Sequence, residues 1–274
     1  MPAHVDSVYV MGTTDEEYER LRRQALMYEP FAVAAFDRIG LGQGMSCLDV
    51  GCGPGEVMRL MAERVGPAGR VVGLDVDDRL ARQALSALHD KGHTQCTIVT
   101  ADLYTLEHTV HDLFDVVYAR LLVQHLNDPL AGLKQMYQRV KSGGQLLIQD
   151  LYLSAIDSDS PSNLLREMRA VVDGVWAKTG KDARAGMTLP GHFIRAGIGV
   201  PDGTDVAGGL LPLREAAGMI ISVYKSVLPL ALKLGVTTEE RSKQFFAEGA
   251  DASQDDKFYV LMPLIISVWK KKPN

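Results

Sequence analysis

Cys47–Val57 reads CLDVGCGPGEV, with three glycines at alternate positions, Gly51, Gly53 and Gly55, directly behind a short apolar run. A chain places glycine where the backbone must take positive φ or where something must lie against bare main chain. The preceding run predicts a strand over 45–50. After it, Val57, Leu60, Met61 and Val65 recur at helical spacing, with Gly66 placed to end the helix. A strand, a glycine turn and a helix N-terminus in succession make a cradle for a ligand. Taken alone, the stretch also fits a tight strand-to-helix turn that binds nothing.

Outward from this loop, strand-like runs follow at 70–76, 96–103, 114–120 and 145–151. Helical stripes separate them. Leu80, Ala84, Leu85 and Leu88 precede Gly92, and Leu130, Leu133, Met136, Tyr137 and Val140 follow a cap at Asn127 or Asp128 and Pro129. The alternation predicts βαβ units and an α/β fold with a doubly wound, mostly parallel sheet. Right-handed crossovers then bring every parallel strand's C-terminal end to one edge.

The flanks are more helical. Thr14 and Glu17 have capping-box spacing ahead of a helix reaching about Glu29, before Pro30, and a second helix is expected from Phe31 to Ile39. Beyond 151, helices are expected over roughly 160–180, 213–234 and 237–250, with β-like runs at 198–210 and 258–271. These two runs could pair antiparallel at the sheet edge. The helices between them then form an insertion that either acts as a lid or enlarges the core. The expected organisation is an N-terminal helical cap (1–40), a core (41–153) and a C-terminal part (154–274) that completes the sheet and carries the insertion at about 211–250.

Composition narrows the partners. The 274 residues carry a net charge of −5, so a polyphosphate backbone is disfavoured as a substrate. Three cysteines, Cys47, Cys52 and Cys96, lack metal-type spacing, which points to a reducing cytoplasm and no metal site. The first residues lack a secretory pattern, and no apolar run approaches membrane-spanning length.

The loop also discriminates between ligands. In the dinucleotide fingerprint G-x-G-x-x-G/A the third small residue would fall on Glu56, whereas here the glycine comes one place earlier, at Gly55. Asp75 ends the second strand about 24 residues after Gly51, where a carboxylate can accept hydrogen bonds from both ribose hydroxyls. That feature alone would suit NAD as well.

Five segments in order, G-x-G-x-G at 51–55, GLDVD ending in Asp77, TADL at 100–103, FDVVYARLLVQHLNDP at 114–129 and VKSGGQLLIQD at 140–150, resemble the class I S-adenosylmethionine-dependent methyltransferases. Ser142 stands where that superfamily usually has proline, which costs turn rigidity without touching the cofactor. The flanks resemble a small-molecule subgroup related to the ubiquinone/menaquinone-biosynthesis enzymes. The resemblance implies a seven-stranded, Rossmann-like, mostly parallel sheet with helical cap insertions, binding S-adenosylmethionine and leaving S-adenosylhomocysteine. It implies cofactor contacts at Gly51, Cys52 and Gly53, at Asp75 and Val76 for the ribose side, and at Asp102 and the Leu103 amide for adenine. Ala119 and Arg120 would lie beside the methionine part, and Asp49 would order the loop and meet the methionine amino group. Arg20 and Gln24, four apart on one helix face, could supply donors to the methionine carboxylate. Alternatively, Arg20, Arg22 and Arg23 simply solvate that helix, and Arg120 holds an acidic substrate or bridges the rim.

Methyl transfer needs alignment above all, and positioning can remove about 7–11 kcal/mol of barrier. A hydroxyl or ammonium acceptor also needs a base, for which His125 and Asp150, near the ends of the fourth and fifth strands, are the candidates. Either could equally be structural. Tyr9, Tyr18, Tyr28, Trp176, Tyr224 and His192 are candidate pocket residues. The fourth-strand end lacks the N-P-P-aromatic element of amino-methylating DNA enzymes. The expected activity is transfer of methyl to a small, largely apolar metabolite by a monomer or homodimer, without nucleic acid or membrane partners. The alternatives are an NAD(P)-dependent oxidoreductase and a protein that binds S-adenosylmethionine without turnover.

Overall fold

A computed structural model describes residues 15–274. Thr14 of the expected capping box, and Tyr9, lie outside the described residues. In chain order the elements are α1 (Asp15–Met27), α2 (Glu29–Ile39), β1 (Ser46–Val50), α3 (Glu56–Val65), β2 (Arg70–Asp75), α4 (Asp78–Asp90), β3 (Cys96–Thr100), α5 (Leu106–Thr109), β4 (Phe114–Arg120) and α6 (Pro129–Gln138). There follow β5 (Val140–Tyr152), β6 (Asp157–Ser158), α7 (Leu164–Thr179), α8 (Ala185–Arg195), β7 (Gly203–Ala207), β8 (Leu210–Pro212), α9 (Leu213–Lys233), α10 (Glu239–Ala252), β9 (Tyr259–Leu261) and β10 (Leu264–Lys271). They fall into two compact units, each discontinuous in sequence: a sheet unit (Leu21–Tyr152, Arg184–Ala207, Ile265–Asn274) and a helical unit (the described residues 15–20, Leu153–Ala183, Gly208–Leu264).

The sheet unit carries a seven-stranded sheet of order β3-β2-β1-β4-β5-β10-β7. β1 pairs parallel with β2 and β4, β2 with β3, and β4 with β5; β7 and β10 pair antiparallel, from Gly203 opposite Trp269 to Ala207 opposite Ile265. Strand alternation sends side chains to two cores. Leu48, Val50, Val72 and Leu74 pack with Leu133 and Met136 of α6 and with Leu189 and Phe193 of α8. Cys47, Val71, Val116 and Tyr118 pack with Ala32 and Phe36 of α2 and with Met58 and Met61 of α3. The doubly wound architecture is thus present. The order reverses at β1 and β4, the place where open α/β sheets bind ligands.

Several boundaries differ from the sequence expectation. The first helix stops at Met27, and Glu29 opens α2 with Pro30 in its first turn, where proline has no bond to lose. α8 is a helix that the sequence left unassigned; it contains Pro190 and buries Ala185, Leu189 and Phe193. The run 258–271 divides at Pro263: β10 joins the large sheet, whereas β9 enters a second sheet of order β6-β9-β8.

In the helical unit α9 packs on α7 and α10. The Tyr224 and Phe245 rings stack at 3.7 Å, and Tyr224 Oη lies 3.3 Å from Thr237 Oγ1 and 3.2 Å from Ser242 Oγ. Contrary to expectation, α9, with 21 residues, is long and apolar enough to cross a membrane by length and composition alone. Its Tyr224, Val227 and Ala231 are buried in the unit. Tyr224 and Trp176, offered above as pocket aromatics, are core residues, as is Tyr28 in the sheet unit.

Candidate cofactor and active site

The glycine loop is anchored to the second strand. The amides of Gly51 and Cys52 both donate to Leu74 O, at 2.7 and 3.1 Å, and Gly55 N donates to Cys52 O. Its glycines have three different neighbours, although all three take positive φ (71°, 50° and 78°). A Cβ on Gly51 would meet Leu122 Cδ1 at 3.0 Å, and one on Gly55 would meet Ala84 Cβ at 3.2 Å. At Gly53 nothing among the described residues lies within 4 Å of the place a Cβ would take. Only at this middle glycine is bare main chain presented to open space; the other two glycines allow close packing.

Asp75 ties the loop to the rim: its Oδ2 accepts from Gly53 N at 2.8 Å and its Oδ1 from Asp77 N at 3.0 Å. Burial raises its pKa, and those amide bonds oppose the rise. Beside it, Val76 is 61 % exposed, an apolar side chain left open at the strand end. Asp102 caps the short turn after β3, with Oδ1 accepting from Tyr104 N at 2.8 Å, while Leu103 is buried in the sheet core. Cys52 is buried, and burial holds its thiol well above the usual range. At the N-terminus of α3 the first residue is Glu56, buried and paired with Arg22 Nε (3.1 Å) and Arg59 Nε (3.4 Å). A carboxylate there opposes the anion binding that a dinucleotide's pyrophosphate needs at such a helix end.

Beneath the loop lies an incomplete charge cluster. Asp49, on β1 between Gly73 of β2 and Tyr118 of β4, is 2 % exposed. Among the described residues its Oδ2 has no hydrogen-bond partner. Arg120, at the end of β4, donates from Nη2 to Ala25 O at 3.4 Å, and its buried Nη1 likewise finds no partner among the described residues. Burial pushes the Asp49 carboxyl up to about 7; the Arg120 cation pulls it down and the Asp75 charge pushes it further up. Ala119, next to Arg120, is wholly buried in the sheet core.

Where the chain leaves β4, Leu121 takes φ 56°, the one non-glycine positive φ among the described residues. Such a left-handed leucine costs about 1–2 kcal/mol. Its amide bonds to Gln149 O at 2.9 Å, and the chain then turns into the short Val123–His125 helix. Asp150 holds that helix: wholly buried, it accepts Gln124 N on Oδ2 at 3.0 Å and Leu151 N on Oδ1 at 2.8 Å. His125 itself is half-buried.

Gln24 belongs to the sheet unit and Arg20 to the helical unit. There Arg20 forms a buried two-pronged pair with Glu17 (Nε–Oε2 2.8 Å, Nη2–Oε1 2.6 Å), and Ser226 Oγ donates to Glu17 Oε2 at 2.6 Å. Sequence reasoning missed Gly73: a Cβ there would meet Met58 Sδ at 2.6 Å and Cys52 Sγ at 2.8 Å, so this glycine seats the loop against the sheet. It also missed Leu122, whose side chain covers Gly51.

Residues 48–148 match a family model described as a methyltransferase domain. Trans-aconitate 2-methyltransferase of Azoarcus sp. (strain BH72) is 32 % identical over 154 residues, covering 56 % of this chain and 54 % of that protein. Demethylmenaquinone methyltransferase of Anoxybacillus flavithermus is 29 % identical over 110 residues, 40 % of this chain and 46 % of that one. The chain spans about half the length of the curated relatives it matches. In fold it resembles a crystal structure described as a putative methyltransferase (BH2331) from Bacillus halodurans C-125, at 18 % identity and a TM-score of 0.60, with 89 % and 99 % of the two chains covered. Over residues 48–148 the chain is thus similar in sequence to S-adenosylmethionine-dependent methyltransferases, and its fold is similar to theirs.

Proposed function

We propose that the protein transfers the methyl group of S-adenosylmethionine to a small, largely apolar metabolite. The observation that carries this reading is Gly53, open on its Cα side and bound through its amide to Asp75. The residues present fit the cofactor: a bare loop, a rim carboxylate, and a carboxyl and a guanidinium, Asp49 and Arg120, each with an unmet atom among the described residues at the buried end. A dinucleotide reading is disfavoured by Glu56 at the start of α3.

When bound, S-adenosylmethionine supplies a methyl group on a sulfonium, open to one in-line displacement. Asp75 accepts from the ribose hydroxyls with the lone pairs its amide bonds leave. Val76 covers one face of the adenine, and Asp102 and the Leu103 amide read its edge. Gly51, Cys52, Gly53 and Ala119 contribute backbone. Arg120, with Gln24, binds the methionine carboxylate. Arg20 is assigned to Glu17 instead, because its Nε and Nη2 already serve that partner. A ring nitrogen of His125 takes the proton of a hydroxyl or ammonium acceptor. Asp150, with both oxygens on backbone amides, is a positioning residue that fixes the His125 turn. We place the reaction in the cytoplasm, consistent with three buried free cysteines, and assign a monomer or homodimer without nucleic acid or membrane partners.

The test is mass spectrometry of small molecules retained through purification, followed by incubation of the protein and labelled S-adenosylmethionine with host extract. The expected result is retained S-adenosylhomocysteine and a labelled small molecule. Binding with no labelled product would favour a non-transferring binding protein. Tight NADH binding without affinity for S-adenosylmethionine would favour an oxidoreductase.

A further inference from the structure

Asp49 is a poor fit to its surroundings as an anion. It lies in the middle of the sheet rim, 2 % exposed, with one oxygen unmet among the described residues. The groups that act on it come from every neighbouring strand. Arg120 at the end of β4 favours its charge; Asp75 at the end of β2 opposes it. Tyr118, beside it on β4, is neutral and gives its hydroxyl proton to Gln149 Oε1 at 2.5 Å. Cys47 on its own strand and Cys52 in the loop are both held as neutral thiols by burial. Tyr28, facing Arg120 from the α1–α2 junction, is kept protonated by burial as well. One half-buried cation, partly committed to Ala25 O, is thus set against burial and a second carboxylate.

Resting on the cofactor reading above, we propose that binding at this site is proton-coupled: Asp49 holds a proton in the empty protein and releases it when a ligand's ammonium group docks on the unmet oxygen. The balance is simple. A carboxylic acid and an incoming alkylammonium become a carboxylate–ammonium pair, and one proton leaves to solvent. No covalent bond to carbon forms or breaks and no further reactant is needed. The site therefore selects ligands carrying a free ammonium beside the adenosine, and it loses affinity in acid.

The linkage has a definite sign and window. A buried carboxyl at about 7 is near half-protonated at neutral pH, and a docked cation draws it back toward the ordinary carboxylate range. Ligand affinity is then nearly full by pH 8 and falls by about tenfold from pH 8 to pH 6, with about half a proton released per ligand at pH 7. Arg120 holds the cluster's other unmet atom among the described residues.

The experiment is calorimetric titration with S-adenosylhomocysteine at pH 6, 7 and 8, each in two buffers of different ionisation enthalpy. The buffer dependence counts protons directly and needs no variant. Release near pH 7, with weaker binding at pH 6, is expected. Asp49→Asn should bind with no proton release and a flat profile between pH 6 and 8. Binding by the natural protein without proton release would overturn the inference and leave the cofactor reading standing. The same release in Asp49→Asn would overturn it too, by placing the proton elsewhere. No binding at any pH would remove the cofactor reading and the inference with it.

Discussion

Among the described residues both units partner most of their buried acids, and the sheet unit alone leaves one with an unmet oxygen. In the helical unit each buried acid closes on an internal partner: Glu17 takes Arg20 and Ser226, and Glu167 takes Arg241 and Thr237. In the sheet unit Asp49 and Arg120 influence each other yet each keeps an unmet polar atom among the described residues. Burying polar groups without partners is costly, so a fold that keeps such a pair holds it for something that arrives later. The same contrast runs through the bare backbone. Most tight glycines serve packing, as Gly73 does, but Gly53 faces space.

The largest expected effect would break the helical half of this contrast. Glu17→Ala removes the two-pronged carboxylate partner of the Arg20 guanidinium, itself 3 % exposed, and should cost about 3–5 kcal/mol of stability by denaturant titration. Replacing both partners by apolar residues, Glu17→Leu with Arg20→Met, should recover most of that loss. The double variant should bind S-adenosylhomocysteine as the natural protein does. A tenfold or greater loss in affinity would return Arg20 to the cofactor site.

The sheet half should respond most in affinity. Asp75→Ala removes the acceptor for two ribose hydroxyls, each a charge-assisted bond of about 1.5–3 kcal/mol, and should weaken S-adenosylhomocysteine binding about 10³-fold. Unchanged calorimetric affinity would remove the ribose role. His125→Ala should lower kcat by about 10²-fold while leaving cofactor affinity alone, provided the acceptor needs deprotonation. Equal turnover would make His125 a packing residue of the turn that Asp150 holds.

The same division separates what could be read in the sequence from what could not. β1 to β4 are local objects: β-branched runs, glycine punctuation and a cap at Asp128, whose side chain accepts from Ala131 N. Their ends fall within a few residues of expectation because the signals lie inside each segment. α8 has an i, i+4, i+8 stripe in Ala185, Leu189 and Phe193, yet Gly186, Pro190 and Gly191 mask it. Gly186 has a reason visible only in three dimensions, since a Cβ there would meet Asp150 O at 2.5 Å. Gly73 is similar, its neighbours arriving from the loop and α3. The influence of Arg120 on Asp49 joins residues 71 apart in sequence on adjacent strands, so no spacing rule could announce it. Pro263 did carry a readable signal, because a proline inside a strand-like run argues for two strands rather than one.

The smallest effect gives the sharpest comparison. Each unit has a glycine at positive φ with nothing among the described residues within 4 Å of the place a Cβ would take: Gly53 at 50° in the sheet unit, and Gly180 at 68°, closing α7 in the helical unit. Alanine at either must enter the left-handed region, so each substitution should cost about 1 kcal/mol of stability and little else in the fold. Backbone strain is therefore matched between them, and only what approaches the glycine differs. Gly180→Ala should leave S-adenosylhomocysteine affinity unchanged, whereas Gly53→Ala, whose added methyl occupies space needed by the ligand, should lower it about tenfold, and Gly53→Val should lower it further. Two variants with equal losses in thermal stability and equal affinities would mean that the opening at Gly53 is solvent alone, and the reading of the loop as a cradle would fail at its central residue.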